Sequence, residues 1–300
     1  MSARSLLNRL LGPKASAYVL HLRPMEWPIM TAHFLLGTLL AQGWGLPPGR
    51  TLLGWLAYVV CLNGATLAIN SAFDQDQGDI GYLKDPPKPP KHLLAFSLAL
   101  HALGLGCALP FLWMGGSAPW FFHLVAACTV MSVLYSVPPA RLKARAGWDL
   151  LINCLGFGLM TPLAGWALTG RPFSPAALWA AAGFGLLFAA LYPATQIYQV
   201  EEDRARGDRT LVIRLGVPRS LVLALVAIYA AHGCFWIALR SSEGTGLALL
   251  LSVGVWQGLF IAWRCQWQTW TLRQQEAGMY WALACWAITD LSLLWALWPR

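Results

Sequence analysis

TLLGWLAYVVCLNGATLAINSAFDQDQGDIGYLKDPPKPPK, residues 51–91, decides the fold class. Its first half, 52–73, is an apolar run of the length a helix needs to cross the hydrocarbon core of a bilayer, about 20 residues. Its second half reverses character: Asn70, Asp74, Asp76 and Asp79 arrive within ten residues, and PPKPPK at 86–91 reads as a stiff loop. A chain that crosses a membrane and then gathers carboxylates at its edge is built differently from one that folds in water.

The rest of the sequence repeats the first half of this pattern. Hydrophobic residues make up 57% of the 300 and charged residues only 11%, against roughly a quarter charged in a soluble domain. A soluble globular fold is excluded. Apolar runs between polar breaks fall near 27–44, 52–73, 92–114, 118–136, 148–168, 176–198, 221–239, 246–263 and 278–297. The expectation is an all-α integral membrane protein of about nine transmembrane helices. The basic, weakly amphipathic segment 1–26 precedes them and is expected along the membrane surface, and residues 27–300 form the membrane domain. The seven cysteines stand singly without metal-ligand spacing and read as small hydrophobes.

The net charge of +8 gains meaning from its placement. Of the 21 lysines and arginines, only Arg50, Arg171, Arg240 and Arg300 fall on the side opposite the N-terminus on this map, leaving 17 on the N-terminal side. The positive-inside rule then puts the N-terminus in the cytoplasm, and the charge calls for no nucleic-acid partner. Loops 74–91, 137–147 and 199–220 all fall on that cytoplasmic face.

Those loops carry the chemistry. Asn70 and Asp74, four apart, share one helical face, and Asp76 and Asp79 follow. Carboxylates and an amide at a membrane edge are costly without a cation among them, and oxygen donors favour a hard ion such as magnesium. A solvated acidic loop capping the helix is the bland alternative. It weakens on a second cluster, YPATQIYQVEEDRARGDRTLVIRLG at 192–216, where Gln196, Gln199 and Asp203 fall on one face with Glu201, Glu202 and Asp208 close by. Between the two, YSVPPARLKARAGWD at 135–149 brings Arg141, Lys143 and Arg145 to the same membrane face. Acid-held magnesium beside bases suits a diphosphate.

At these residues the chain resembles the UbiA superfamily of intramembrane prenyltransferases. The resemblance rests on LRPMEWPIM at 22–30, the Asn70-x-x-x-Asp74 start of a first aspartate motif, Tyr135-Ser136-x-Pro-Pro-x-Arg-Leu-Lys, PLAGW at 162–166, and EEDRARGDRTLVIRLG at 201–216. It implies helices bundled around a central cavity, and magnesium-dependent transfer of a polyprenyl group from a prenyl diphosphate through an allylic carbocation. The implied lipophilic acceptor is a quinone precursor, a chlorophyll-type molecule, a carotenoid or a glycerol phosphate lipid. One or two magnesium ions would be held by Asn70, Asp74, Asp76, Asp79, Gln199, Glu202 and Asp203. Arg23, Arg141 and Lys143 would contact the diphosphate, while Tyr135 and Ser136 would act with Asp74 and Asp203 at the reacting carbon. Relative to the family pattern, Ser71 replaces an aspartate, Gly78 takes the last carboxylate position of the first motif, and Gln196 and Gln199 stand at acidic positions of the second. These departures keep open a non-catalytic binder or transporter of isoprenoid diphosphates.

Other polar residues inside spans carry less weight. Asp290, His33, His101 and His232 read as interior structural groups, and Asp149 and Asn153, one turn apart, as candidates for lining the site.

Overall fold

The computed structural model describes residues 3–43, 45, 48–74, 80, 81, 83–240, 242 and 245–296. Asp76, Gly78 and Asp79, named above for the first motif, lie outside the described residues. Among the described residues the chain forms helices and no strand. We number the elements α1 (Ala3–His21), α2 (Trp27–Gln42), α3 (Pro48–Asp74), α4 (Leu93–Trp113), α5 (Ala118–Ser136), α6 (Trp148–Leu168), α7 (Pro175–Ile197), α8 (Val200–Ala205), α9 (Leu211–Leu215), α10 (Val217–Leu239), α11 (Thr245–Gln266) and α12 (Leu272–Ala296). Eight of these, α3 to α7 and α10 to α12, are long and apolar enough to cross a membrane. The first expected span appears as α2, which has 16 residues and reaches about 24 Å at 1.5 Å per residue.

The chain divides into two compact units, Met1–Ala140 with Ala167–Pro172, and Arg141–Trp166 with Phe173–Arg300. In the first, α3 packs on α4 and α5. Its middle, Leu56–Asn63, is a π-helix, a wider turn that commonly marks functional sites. Gly104 of α4 lets the backbones close, since a Cβ there would stand 3.0 Å from Cys61 Cβ and 3.1 Å from the Ala57 carbonyl oxygen. Phe34 stacks on Tyr58 with ring centroids 5.5 Å apart, and Phe121 packs on Phe111 at 4.6 Å.

Segment 1–26, expected along a membrane surface, makes specific contacts with the rest of its unit. Its helix α1 breaks at Gly12, where φ is 76°, and Pro13 follows. Tyr18 meets Phe96 edge-on at 5.1 Å, Arg4 Nη1 donates to the Asp85 carbonyl at 2.8 Å, and His21 Nε2 donates to the Pro87 carbonyl at 3.0 Å. α1 is therefore tied to the loop that follows α3.

In the second unit α6 again contains a π stretch, Cys154–Met160. Gly158 within it meets α7 so closely that a Cβ would lie 2.7 Å from Gly185 Cα and from the Phe184 carbonyl oxygen. Small residues at such contacts let membrane helices gain van der Waals packing where lipid offers no hydrophobic drive. Phe184 meets Phe235 edge-on at 4.9 Å. A polar chain is satisfied inside this unit: His232 Nε2 lies 2.8 Å from Ser252 Oγ, which bonds Thr289 Oγ1 at 2.8 Å, and Trp256 donates to the same Thr289 oxygen at 2.9 Å. Asp290, 8% exposed, has no hydrogen-bond partner at Oδ1 among the described residues. Large apolar side chains such as Leu250, Val226, Trp281 and Leu291 point outward, as lipid-facing residues do.

Candidate functional site

Each unit carries one cluster. In the first, Asn70 and Asp74 occupy the last turn of α3, both half-buried. Ser136, the fully buried last residue of α5, donates from Oγ to Asn70 Oδ1 at 3.4 Å. Tyr135, half-buried, precedes Ser136 on the same helix, and a neighbour in sequence points to a different face. Further on, Ile80 and Leu83 exchange backbone hydrogen bonds of 3.1 and 2.8 Å in a tight turn.

Arg23 reaches this turn from the α1–α2 connection. Its Nη1 lies 3.7 Å from where a Gly81 Cβ would stand, so a glycine leaves room for the guanidinium. Its φ is +48°, and Arg141 has φ +34°. Left-handed backbone is costly for arginine, of order 1 kcal/mol or more, and tends to cluster at functional sites. Both residues were expected to contact diphosphate.

Glu26, one turn from Arg23 and just outside α2, has its carboxyl pushed up to about 7 by burial, which the Arg23 charge partly offsets. The folded protein thus holds this proton over a pH range where the unfolded chain has lost it. Stability from this group is fully present below the ordinary carboxylate range, declines as pH rises towards 7, and stays lowered above it. Glu26→Gln is expected to melt higher than wild type at pH 8 by roughly 5 °C more than at pH 5. A thermal melt in detergent at the two pH values checks this, and equal differences would remove Glu26 from the pH response.

In the second unit the helix α8 presents Glu201, Glu202 and Asp203 in its first turn. Asp203 is 5% exposed and accepts from Arg206 Nη2 at 2.5 Å. The same guanidinium donates to Glu202 at 3.1 Å and pairs with Asp208 at 3.4 Å. Burial raises the Asp203 carboxyl above its ordinary range, Arg206 pulls it back, and Asp208 and Glu202 push it up again. Arg141 holds Asp208 in a two-pronged pair of 2.6 and 3.3 Å. Lys143, 9% exposed, sits in the 3-10 turn Leu142–Ala144. Gln199 is half-buried before α8, and its carbonyl accepts from the Asp203 amide at 2.9 Å.

Asp149 has a different task from the one its position suggested. Fully buried at the start of α6, it accepts at Oδ1 from the amides of Gly147 and Leu150 at 2.8 and 2.9 Å. At Oδ2 it accepts from Gln196 Nε2 and the Leu211 amide, both at 2.8 Å. Gln196 in turn accepts from the Val212 amide at 3.4 Å, and Asn153 donates to the Asp149 carbonyl at 2.7 Å. Both ends of the Gln196 amide are engaged by the fold, so this position clamps α9 to α7 and α6 instead of offering an oxygen to a metal.

Among the described residues no group of three or more His, Cys, Asp or Glu side chains is preassembled around a cation position. The donors nevertheless fit magnesium: they are oxygens only, and the Asp203–Glu202–Asp208 carboxylates already gather around one positive group, the Arg206 guanidinium.

The sequence profile of the UbiA prenyltransferase family matches residues 30–288. The chain belongs to this family. Chlorophyll synthase of Oryza sativa subsp. japonica is 27% identical over 225 residues, 69% of this chain and 57% of that protein. The Avena sativa chlorophyll synthase is 26% identical over 76% of this chain and 64% of its own length. The chain thus spans about three-fifths of these plant relatives. The mouse UbiA prenyltransferase domain-containing protein 1 is 26% identical over 79% of this chain and 73% of its own. In fold, a UbiA homolog from Archaeoglobus fulgidus solved with DMAPP and Mg2+ superposes with a TM-score of 0.65 at 18% identity, covering 91% of this chain and 99% of that one. A digeranylgeranylglyceryl phosphate synthase structure gives 0.68 at 15% identity, covering 94% and 98%. Family membership and the long apolar helices together make the chain a multi-pass integral membrane protein.

Proposed function

We propose that this UbiA protein is a prenyltransferase that uses magnesium to move a polyprenyl group from a prenyl diphosphate to a lipophilic acceptor. The observation that carries the reading is the second-unit cluster, in which Asp203, Glu202 and Asp208 gather around Arg206 while Arg141 holds Asp208, alongside the Ser136–Asn70 bond near the end of α3 in the first unit. The relatives add support: two are named chlorophyll synthases, and one solved neighbour is described with DMAPP and Mg2+.

In this reading Asn70, Asp74, Asp76 and Asp79 of the first motif and Gln199, Glu202 and Asp203 of the second hold one or two ions. When bound, magnesium supplies positive charge that stabilises the departing pyrophosphate. Arg23, Arg141 and Lys143 orient the diphosphate oxygens by charge-assisted hydrogen bonds. The allylic C–O bond breaks with its electron pair leaving on diphosphate, a carbon or oxygen of the acceptor bonds to the cation, and the acceptor gives up a proton. Ser136 anchors Asn70, and Tyr135 lines the approach to the reacting carbon. The apolar surround excludes water, which would otherwise trap the cation as a prenol. The positive-inside bias favours a cytoplasmic N-terminus with the motifs at the cytoplasmic face.

The test is direct. Purified protein, magnesium, labelled geranylgeranyl diphosphate and a membrane lipid extract are expected to yield pyrophosphate and a labelled lipid, and chelation is expected to stop both. Tight binding without release, across several prenyl lengths and extracts, would convert the reading to a non-catalytic isoprenoid diphosphate binder. That alternative draws on Gln196, which the fold occupies where the family pattern has an acid.

A further inference from the structure

Among its described residues, the first unit leaves buried polar atoms unpaired between its helices, away from the edge cluster. Asn63, at the end of the π stretch of α3, is 3% exposed, and among the described residues neither its Nδ2 nor its Oδ1 has a hydrogen-bond partner. Ser132 of α5 is 4% exposed and its Oγ is equally unpartnered. Thr129 Oγ1 makes a third. A buried amide left unpaired costs far more than one hydrogen-bonded, and water cannot reach it from lipid.

These groups lie at one level of one contact. Two bonds fix the register of α3 against α5: Tyr58 Oη to Cys128 Sγ at 3.5 Å, and Ser136 Oγ to Asn70 Oδ1 at 3.4 Å. Asn63 falls between Tyr58 and Asn70, and Ser132 falls midway between Cys128 and Ser136. Thr129, Ser132 and Ser136 are spaced by three and four residues and so share a helix face. Asn63 and Asn70, seven apart through α-helical backbone, share the other. The π stretch explains how Tyr58 joins them: hydrogen bonds from i to i+5 bring residues five apart, Tyr58 and Asn63, to nearly the same side.

We propose that Asn63, Ser132 and Thr129 form a subsite for a neutral hydroxyl or carbonyl oxygen of the lipophilic acceptor. This rests on the prenyl-transfer reading for its place in the reaction, although the subsite itself is argued from the unpaired groups. An amide and two hydroxyls offer both donors and acceptors and no charge. From Leu56 to Ile69 and from Leu124 to Tyr135 the two helices carry no ionisable acid or base that could pair with a phosphate or carboxylate. A diphosphate therefore belongs at the charged edge, and the hydrocarbon of a prenyl tail has no use for three polar groups. An oxygenated, otherwise apolar molecule fits both the polar trio and the Phe34–Tyr58–Phe121 aromatic cluster beyond it.

The probe pair is 2-naphthol and naphthalene, alike in shape and differing in one hydroxyl, titrated against the full protein in lipid nanodiscs. Wild type is expected to bind 2-naphthol at least about fivefold more tightly relative to naphthalene than Asn63→Leu does, the factor one net hydrogen bond supplies. The Ser132→Ala/Thr129→Val double variant, a gentler change should Asn63→Leu fail to fold, is expected to lose about as much. Ligand-free melting temperatures should stay level or rise, because unpaired groups leave the interior. Equal naphthol preference in wild type and variants, or no preference in wild type, overturns the subsite and leaves a buried water as the occupant. Magnesium-dependent geranylgeranyl diphosphate binding, measured in parallel, should be unchanged in the variants. Its absence from wild type would sink the prenyl-transfer reading while leaving the naphthol result to judge the subsite separately.

Discussion

Asp149→Ala is expected to destabilise the protein by about 4 kcal/mol, because it strands several buried N–H donors at once. Four N–H donors point at this carboxylate: the amides of Gly147, Leu150 and Leu211 and the side-chain amide of Gln196. None of the carboxylate is exposed, so water has no ready way to replace it. Each stranded donor carries a desolvation cost of about 1–3 kcal/mol, and partial relaxation keeps the total below their sum. Asp149→Asn should fall between, because it keeps one acceptor oxygen but turns an NH2 towards N–H groups. The readout is the thermal midpoint in detergent together with limited proteolysis of the 199–216 segment. Leu211 and Gln196 tie that segment down, so cleavage there should rise first. A variant that melts within a degree of wild type, with the segment still protected, would mean the carboxylate is dispensable to the fold.

The physical reason this role was illegible in the sequence is distance along the chain. Asp149 and Asn153 read as site-lining candidates because only their local spacing could be seen, whereas Gln196 and Leu211 lie 47 and 62 residues away. Arg206 shows the same limit: it counted as one more positive charge, yet its guanidinium joins three carboxylates. The spans were legible because apolar length is a local quantity. The expected 118–136 and 148–168 match α5 and α6 residue for residue. Where expectation began late, at 221, 246 and 278, the helices start at Val217, Thr245 and Leu272, because a helix continues into the polar interface after its apolar run has ended. Hydropathy is equally blind to hydrogen-bond register, so neither π stretch could be foreseen. The positive φ of Arg23 and Arg141 is likewise a property of the fold that composition cannot carry.

Asp74→Ala and Asp203→Ala are each expected to lower pyrophosphate release by at least about a thousandfold, which corresponds to about 4 kcal/mol of lost transition-state stabilisation. The argument depends on the fold surviving the change. Asp74 closes α3 and is half-buried, so alanine there removes a carboxylate without opening the interior. Asp203 is more deeply placed, but Arg206 retains Glu202 at 3.1 Å and Asp208 at 3.4 Å when Asp203 is gone, and Arg141 still holds Asp208. Melting temperatures close to wild type should therefore accompany the loss of turnover, the opposite of the pattern expected for Asp149→Ala. Asp203→Asn sharpens the point by preserving shape while removing the charge that an ion requires. If it keeps wild-type turnover at every magnesium concentration, Asp203 is not a metal ligand. If release survives both alanine changes within tenfold, the two motifs do not hold the ion, and prenyl transfer would need other residues to supply the charge that the leaving diphosphate demands.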